Sequence, residues 1–429
     1  MPDAVRHFSA RLAFMVMLAG LGGCAGAPNM LDARGYGAEG INLLWWVMFW
    51  AGTAVFGLVM VVMLVALLRR RDQADPQLDA QAERRISDRL IGGGGVLLPL
   101  VVLVPLLGFT AYTSTAMIPP RPPALTIEVI GHHMYTTGLP QLGMNFFAAA
   151  SMMIAIPSGV IIFGTLATIW LGRPVWKTPL LYVLGFVITF VLGGITGVMV
   201  AAVPFDYQVH DSYFVVAHFH YVLIGGTVFP LLAGLHYWWP KATGRMPSEQ
   251  LGRWSFWLSF IGFHITFFTM HITGMLGMPR RVYTYPAGLN WDWLNMISTL
   301  GSFVMALGLG LFLFNLAQCL RNGERVEENP WGAGTLEWAT SSPPAQYNFA
   351  RIPGVSSREP LWDDGTAVGL YNLGDKQREA LGSSLLDADP EQRLVLPGPS
   401  IWPFFLAIAV GLLFICPPQW LVGPARARA

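Results

Sequence analysis

The chain has 429 residues, of which 54% are hydrophobic and only 12% are charged, and its formal net charge is +1. Soluble domains carry about 25% charged residues, so this composition excludes an ordinary soluble protein and a disordered chain. A near-neutral chain also lacks the basic surface that nucleic-acid binding requires, and no nucleic-acid partner is expected. The sequence therefore predicts a multi-span membrane protein embedded in a lipid bilayer.

Residues 1–23 have the pattern of a secretory signal peptide. Arg6 and Arg11 precede an apolar run that ends in Leu-Gly-Gly-Cys at Cys24. This ending is typical of lipoproteins, so we predict cleavage before Cys24 and lipidation of that cysteine on the outer side of the membrane. A short uncleaved anchor is the alternative.

Eight later stretches contain no Asp, Glu, Lys or Arg and are long enough to cross a bilayer, which takes about 20 apolar residues. They cover residues 41–68, 91–118, 142–172, 178–205, 212–239, 254–279, 293–320 and 401–423. Residues 321–400 are rich in charge, Pro, Gly and Ser, which predicts an irregular cytoplasmic segment rather than a second domain. The predicted fold class is an all-α polytopic membrane protein with about eight transmembrane helices after the signal.

The distribution of basic residues agrees with an outer Cys24. The loops predicted to lie inside contain Arg69, Arg70, Arg71, Arg84, Arg85, Arg89, Arg173, Lys177, Lys241, Arg245 and Arg253. Those predicted to lie outside contain only Arg121, Arg280 and Arg281. Positive charge favours the cytoplasmic side, so both signals predict the same orientation in a bacterial inner (plasma) membrane. The adjacent pair Arg280-Arg281 is unusual on the outer face.

Two histidines close together in the span 212–239 are the strongest candidates for chemistry. His218 and His220 are two residues apart, and each helical residue turns the side chain by about 100°, so they face opposite sides of a helix. One metal cannot bind both, but two cofactors on either side of the helix can, and imidazole is a common axial ligand of haem iron. A core histidine hydrogen-bonded to a neighbouring helix is the alternative for any single one, above all for His236 and His264.

The outer face holds further candidates. His210-Asp211 offers one nitrogen and one carboxylate, a plausible pair for a divalent cation. Arg280-Arg281 could pair with haem propionates, because guanidinium groups bind carboxylates in a bidentate way; a lipid-headgroup anchor is the alternative. His132-His133 lies in a proline-bounded loop, where both imidazoles can reach one copper ion.

These residues occur in motifs that resemble subunit I of the haem–copper cytochrome c oxidases. The motifs are His132-His133-Met-Tyr-Thr-Thr-Gly, Ile156-Pro157-Ser-Gly, His210-Asp-Ser-Tyr-Phe-Val-Val-Ala-His-Phe-His-Tyr-Val-Leu, Gly277-Met-Pro-Arg-Arg and Asn329-Pro-Trp-Gly followed by Leu336-Glu-Trp. They occur in the family's order between about residues 132 and 350 and resemble only the C-terminal half of that subunit.

The stretch from about residue 12 to residue 130 resembles a different subunit. A lipoprotein signal, two spans joined by an Arg-rich loop, and Thr126-Ile-Glu-Val-Ile-Gly-His are similar to the N-terminus of subunit II. The expected organisation is a signal at 1–23, a subunit II-like hairpin at 24–130, a subunit I-like region at 131–350, and a cytoplasmic segment with a final helix at 351–429. The chain therefore resembles a fusion of two partial subunits.

The resemblance implies a role for each candidate. His218 is the expected axial ligand of the high-spin, oxygen-reducing haem, and His220 is an expected ligand of the low-spin haem. His132 and His133 are two expected copper ligands. His210 and Asp211 are expected to hold magnesium, and Arg280 and Arg281 to contact haem propionates.

The departures from the family are equally specific. The region that resembles subunit I does not include the first six helices of that subunit. The second ligand of the low-spin haem and the third copper ligand are therefore missing from it as well. No Cys-x-x-x-Cys occurs, so no binuclear copper domain is expected, and Ile161 stands where many oxidases have a proton-channel lysine. The expected function is a component of a cytochrome c oxidase that works with other oxidase subunits, cytochrome c and dioxygen but is inactive alone. A non-catalytic fusion fragment and a haem-carrying membrane protein are the alternatives.

Overall fold

A computed structural model describes residues 29–33, 37–69, 80–116, 139–345, 348–349, 353–355, 357, 359–362, 379–383, 390–398 and 400–415. The predicted signal with Cys24 and the pair His132-His133 lie outside these residues. The chain divides into two compact units, one formed by residues 1–238 and 247–323 and the other by residues 239–246 and 324–429.

The first unit is built from helices. Their bounds are Ala38–Leu68 (α1), Ala80–Asp88 (α2), Leu98–Ala116 (α3), Gln141–Met153 (α4), Ala155–Leu171 (α5), Thr178–Ala201 (α6), Val203–Val209 (α7), Tyr213–Leu223 (α8), Phe229–Thr243 (α9), Glu249–Met275 (α10) and Asp292–Asn322 (α11). A π-helical turn, Arg89–Leu97, joins α2 to α3, and a second one, Ile224–Val228, joins α8 to α9. The last residues of α9 fall in the second unit.

Seven helical runs in the described residues are long and apolar enough to cross a membrane, and they coincide with the first seven predicted spans. Several extend beyond the predicted limits, because hydropathy marks the hydrocarbon thickness and a helix can continue into its charged flanks. The eighth predicted span is described only as Trp402–Ile415 (α12), 14 residues long, and remains a prediction.

Helices α10 and α11 approach each other through small residues. A Cβ atom added to Gly308 would lie 2.4 Å from the backbone nitrogen of Ser259, and one added to Gly262 would lie 2.4 Å from that of Met305. Helices in membranes pack closely where small residues let the backbones meet. Glycine at these positions therefore sets the distance between α10 and α11.

The N-terminal hairpin, defined as α1 together with the run from α2 to α3, is held against α5 and α6 in the same way. A Cβ on Gly95 would lie 2.9 Å from the Cα of Val160, and one on Gly52 would lie 2.5 Å from the side chain of Ile195. The four consecutive glycines 92–95 lie in the π-helical turn. The hairpin is therefore a packed part of the first unit.

The second unit contains a few short elements in and around residues 321–400, which the sequence predicts to be irregular. Arg245–Met246 (β1) pairs antiparallel with Glu324–Arg325 (β2), and Glu379–Ser383 (β3) pairs with Pro390–Val395 (β4). Leu336–Ala339 forms a 3-10 turn. These elements are two to six residues long, too short for hydrophobic periodicity to reveal them, so composition alone favours an irregular segment.

A buried lysine organises this second unit. Lys241 is 6% exposed, and its Nζ donates to the carbonyl oxygens of Thr340 at 2.6 Å and Glu328 at 3.0 Å. The ammonium group also lies 5.2 Å from the ring centre of Trp338, within range of a cation–π interaction. Lys241 thus joins the end of α9 to the segment that follows β2.

Replacing this lysine should destabilise the second unit. Lys241→Met removes the donor from the carbonyl groups of Glu328, Thr340 and Ser341. We expect this to cost about 1–3 kcal/mol and to lower the melting temperature of the purified chain in detergent. Lys177→Met is the matched control, because Lys177 is exposed. Equal melting temperatures for the two variants would show that the lysine is dispensable.

Candidate functional site

The helix that carries the paired histidines begins at a defined cap. The side chain of Ser212 accepts a hydrogen bond from the backbone N–H of Phe214 and caps α8. Ser212 also forms an isolated antiparallel β-bridge with Pro279. The backbone N–H of Tyr213 donates to the carbonyl oxygen of Met278 at 3.0 Å. The start of α8 is therefore fixed against the loop that contains Arg280.

His218 packs on α6. Its Nδ1 lies 3.0 Å from the carbonyl oxygen of Gly193 and 3.2 Å from the hydroxyl of Thr196. A carbonyl oxygen only accepts hydrogen bonds, so Nδ1 carries the proton and Nε2 keeps its lone pair. An imidazole oriented through Nδ1 in this way is the usual arrangement of a metal-ligating histidine.

An apolar cavity adjoins His218. Its volume is about 490 Å³, and its lining contains no Asp, Glu, Lys or Arg. Gly194 lines the cavity, and a Cβ atom added there would meet nothing within 4 Å. The open space beside the imidazole therefore suits a bulky apolar group that offers a metal.

His220 packs on a different neighbour. Its ring stacks on Phe267 of α10, with 4.0 Å between the ring centres and 15° between the planes. Its Nδ1 lies 2.7 Å from the carbonyl oxygen of Val216 in its own helix, so this Nδ1 also carries the proton. His218 contacts α6 while His220 contacts α10, so the two imidazoles lie on different sides of α8.

The remaining described histidines of the membrane region lie among aromatic side chains. His236 Nδ1 contacts the carbonyl of Leu232, and His264 Nδ1 lies 2.7 Å from the hydroxyl of Tyr221 in α8. His271 is buried, with its ring centre 4.9 Å from that of Phe214. The contacts of His236 and His264 fit the alternative of a hydrogen-bonded core histidine.

His210 is paired with a carboxylate that the sequence analysis did not single out. Its Nδ1 lies 3.0 Å from Oδ2 of Asp206, one turn earlier in α7. Asp206 is fully buried, and burial raises the pKa of its carboxyl group to about 6, while the nearby His210 opposes part of the shift. The i, i+4 spacing on a helix was the signal that could have revealed this pair.

Asp211 is paired with Arg280. Their side chains form a salt bridge, and the backbone N–H of Arg280 donates to the carbonyl of Asp211 at 2.8 Å. Partial burial would raise the pKa of Asp211, but the hydrogen bond and charge of Arg280 outweigh it and lower that pKa. Arg281 is exposed and adopts a positive φ of 67°. The structure thus brings His210, Asp211 and Arg280 to one place and leaves Arg281 accessible.

Within the described ranges, no three His, Cys, Asp or Glu side chains lie close enough together to hold a metal ion. The proposed magnesium pair is therefore incomplete here, with His210 bonded to Asp206 and Asp211 bonded to Arg280. Ile161, which the resemblance aligns with a proton-channel lysine of many oxidases, is 55% exposed.

Comparison with known proteins identifies part of the chain. The family model for cytochrome c and quinol oxidase polypeptide I matches residues 123–304. Cytochrome c oxidase subunit 1 of Bacillus subtilis (strain 168) is 47% identical over 295 residues, 67% of this chain and 45% of that protein. The corresponding subunit of Bacillus sp. (strain PS3) is 46% identical over 287 residues, 67% of this chain and 44% of that protein. Quinol oxidase subunit 1 of Bacillus subtilis (strain 168) is 41% identical over 291 residues, 67% of this chain and 43% of that protein.

The chain spans a little under half the length of these curated relatives. It contains a region like subunit I of the haem–copper oxidases, which are oxidoreductases, and it is a multi-pass protein of the bacterial plasma membrane. The family match begins at residue 123, before the predicted boundary at 131, and ends at 304, before the predicted limit near 350. The subunit II-like origin of the N-terminal hairpin remains a prediction.

Proposed function

We propose that this chain is a component of a cytochrome c oxidase, which transfers electrons from cytochrome c to dioxygen, forms water and translocates protons. The observation that carries the proposal is the placement of His218 and His220 on different sides of α8, each with Nδ1 bonded to a backbone carbonyl. Haems held by these two residues would flank one helix, a short path for electron transfer between them. The sequence identity of 47% and 46% to two oxidase subunits supports this function.

His218 is the proposed axial ligand of the high-spin haem, and the bound haem supplies the redox chemistry. The residues fit this group, because Nε2 keeps its lone pair and the imidazole adjoins an apolar cavity. Gly193 and Thr196 hold the ring in one orientation and one tautomer. The chain's own contribution is a fixed nitrogen donor beside an apolar cavity.

His220 is the proposed ligand of the low-spin haem. Its stacking on Phe267 restricts rotation of the ring, and its Nδ1 bond to Val216 leaves Nε2 as the metal-binding nitrogen. Arg281 is accessible to a propionate, while Arg280 is already paired with Asp211. Arg280 therefore acts first as a positioning residue that ties its loop to the start of α8.

The proposed copper and magnesium sites are less complete. His132 and His133 lie outside the described residues, so a copper ion on this pair stays a prediction. His210 and Asp211 supply only two magnesium donors, and both are already hydrogen-bonded, whereas magnesium favours six ligands in an octahedral arrangement. Magnesium binding here would require further oxygen ligands, from water or from another oxidase subunit.

We propose that the chain by itself reduces no dioxygen. It offers one proposed axial imidazole to each haem and two to the copper, so an ordered two-metal centre needs ligands from other subunits. A non-catalytic fusion fragment and a haem-carrying membrane protein are the competing functions.

A reduced-minus-oxidised spectrum of the purified chain, recorded with and without carbon monoxide, separates the three functions. We expect a haem that binds carbon monoxide, together with no oxygen uptake from reduced cytochrome c. Absence of haem would favour the fragment, and low-spin haem alone would favour the haem carrier. Oxygen uptake by the isolated chain would contradict its proposed dependence on partners.

A further inference from the structure

The cavity beside His218 has walls from two parts of the chain. Gly194, Ser151 and Ile154 line it from α6, α4 and the junction that follows α4. Val55 of α1 and Val102 of α3 line it from the N-terminal hairpin. The family model begins at residue 123, so the matched region does not include the hairpin wall.

We infer that the N-terminal hairpin is part of the haem-binding site at His218 and forms a wall of the pocket in which the macrocycle lies. The inference rests on the proposed haem ligation by His218 and adds residues that the subunit I-like region does not contain. Three features of the cavity support this inference: its size, its lining and the close contacts between its walls.

The size and lining select the class of ligand. Ligand pockets commonly measure about 300–1,000 Å³, and this one measures about 490 Å³. Its lining is almost entirely apolar, and His218 is its one imidazole. Burial of charged or strongly polar groups without partners is costly, so the cavity favours a ligand whose buried part is flat and apolar and whose metal accepts a nitrogen donor.

The α6 wall is shaped to receive a flat surface. Gly193, Gly194 and Gly197 all line the cavity, and a side chain at Gly194 would project into free space. A Cβ at Gly197 would instead lie 2.9 Å from Cε1 of His218. The absence of a side chain at Gly194 thus leaves cavity space open, and its absence at Gly197 lets the imidazole of His218 lie close to α6.

The hairpin wall is fixed in position. Gly52 contacts Ile195 of α6 and Gly95 contacts Val160 of α5, at distances that allow no Cβ without movement of the neighbour. Val55 and Val102 therefore face the cavity from helices that are locked to its other walls. A change of side-chain volume at either valine should be transmitted to the ligand.

The test is a haemin titration of the purified full chain in detergent, followed by its Soret absorption. Val55→Trp and Val102→Trp fill the cavity from two different helices. Val61→Trp and Val104→Trp are the matched controls, because Val61 is 58% exposed, Val104 is 64% exposed and neither lines the cavity. Circular dichroism and the melting temperature establish whether each variant is folded. If a variant on one helix fails to fold, the cavity variant and control on the other helix are sufficient for the test.

We expect each cavity variant to weaken haemin binding about tenfold or more, while both controls bind like the unmodified chain. If His218→Ala abolishes haemin binding but all four valine variants bind haemin normally, the hairpin does not form a wall of the site, and the ligation by His218 stands. If the unmodified chain binds no haemin, or His218→Ala binds it equally well, the ligation and the hairpin wall both fail.

Discussion

Replacing His218 by alanine is expected to abolish the haem that binds carbon monoxide, whereas replacing His220 is expected to leave that haem in place. The difference follows from geometry, because His218 packs on Gly193 and Thr196 of α6 and His220 packs on Phe267 of α10. One helix therefore offers the two imidazoles to separate cofactors. The measurement is the carbon monoxide difference spectrum of each purified variant.

The control for this pair is His264→Ala, which removes a half-buried imidazole that is hydrogen-bonded to Tyr221. We expect it to keep the carbon monoxide signal, although it loses a core contact. Loss of the signal in all three variants would point to general unfolding of the membrane region. Loss in the His220 variant alone would reverse the two assignments.

The second large effect concerns the helix interface that supports this site. Gly308→Val places a side chain where even a Cβ would lie 2.4 Å from the backbone nitrogen of Ser259, so α10 and α11 must separate. Overpacking a close interface costs about 1–3 kcal/mol, and here backbone rather than a flexible side chain must move. We expect a large fall in the melting temperature and in the yield of folded chain.

Gly310→Val is the matched control on the same helix. A Cβ at Gly310 meets nothing within 4 Å, so valine there projects into open space. We expect it to melt within a few degrees of the unmodified chain, because its side chain meets no neighbour. Both substitutions change the helix propensity of α11 by the same amount, so any difference between them reports the close contact. Equal melting temperatures for the two variants would mean that the close contact contributes little.

The spans could be predicted well from the sequence, and their surroundings less well. Charge-free apolar runs identified the seven described spans because the bilayer imposes a minimum length on them. The same signal could not show that β1 and β2 pair, since these strands are two residues long and lie far apart in sequence. Nor could composition reveal the role of Lys241, whose carbonyl partners lie about 90 to 100 residues further along the chain.

The candidate site was predictable in its donors and not in their partners. The spacing of His218 and His220 alone predicts opposite faces of a helix. It does not reveal that Gly193 fixes the tautomer of His218, because that contact joins two helices. The pairing of His210 with Asp206 could have been predicted from their i, i+4 spacing on a helix. The salt bridge between Asp211 and Arg280 could not, because it depends on how the loop folds.

The electron paramagnetic resonance spectrum of the oxidised, purified chain tests the central claim most directly, because it separates high-spin from low-spin ferric haem. We expect a high-spin signal that disappears in His218→Ala and persists in His220→Ala. A spectrum with low-spin haem alone, or a high-spin signal unchanged in His218→Ala, would contradict the assignment of His218.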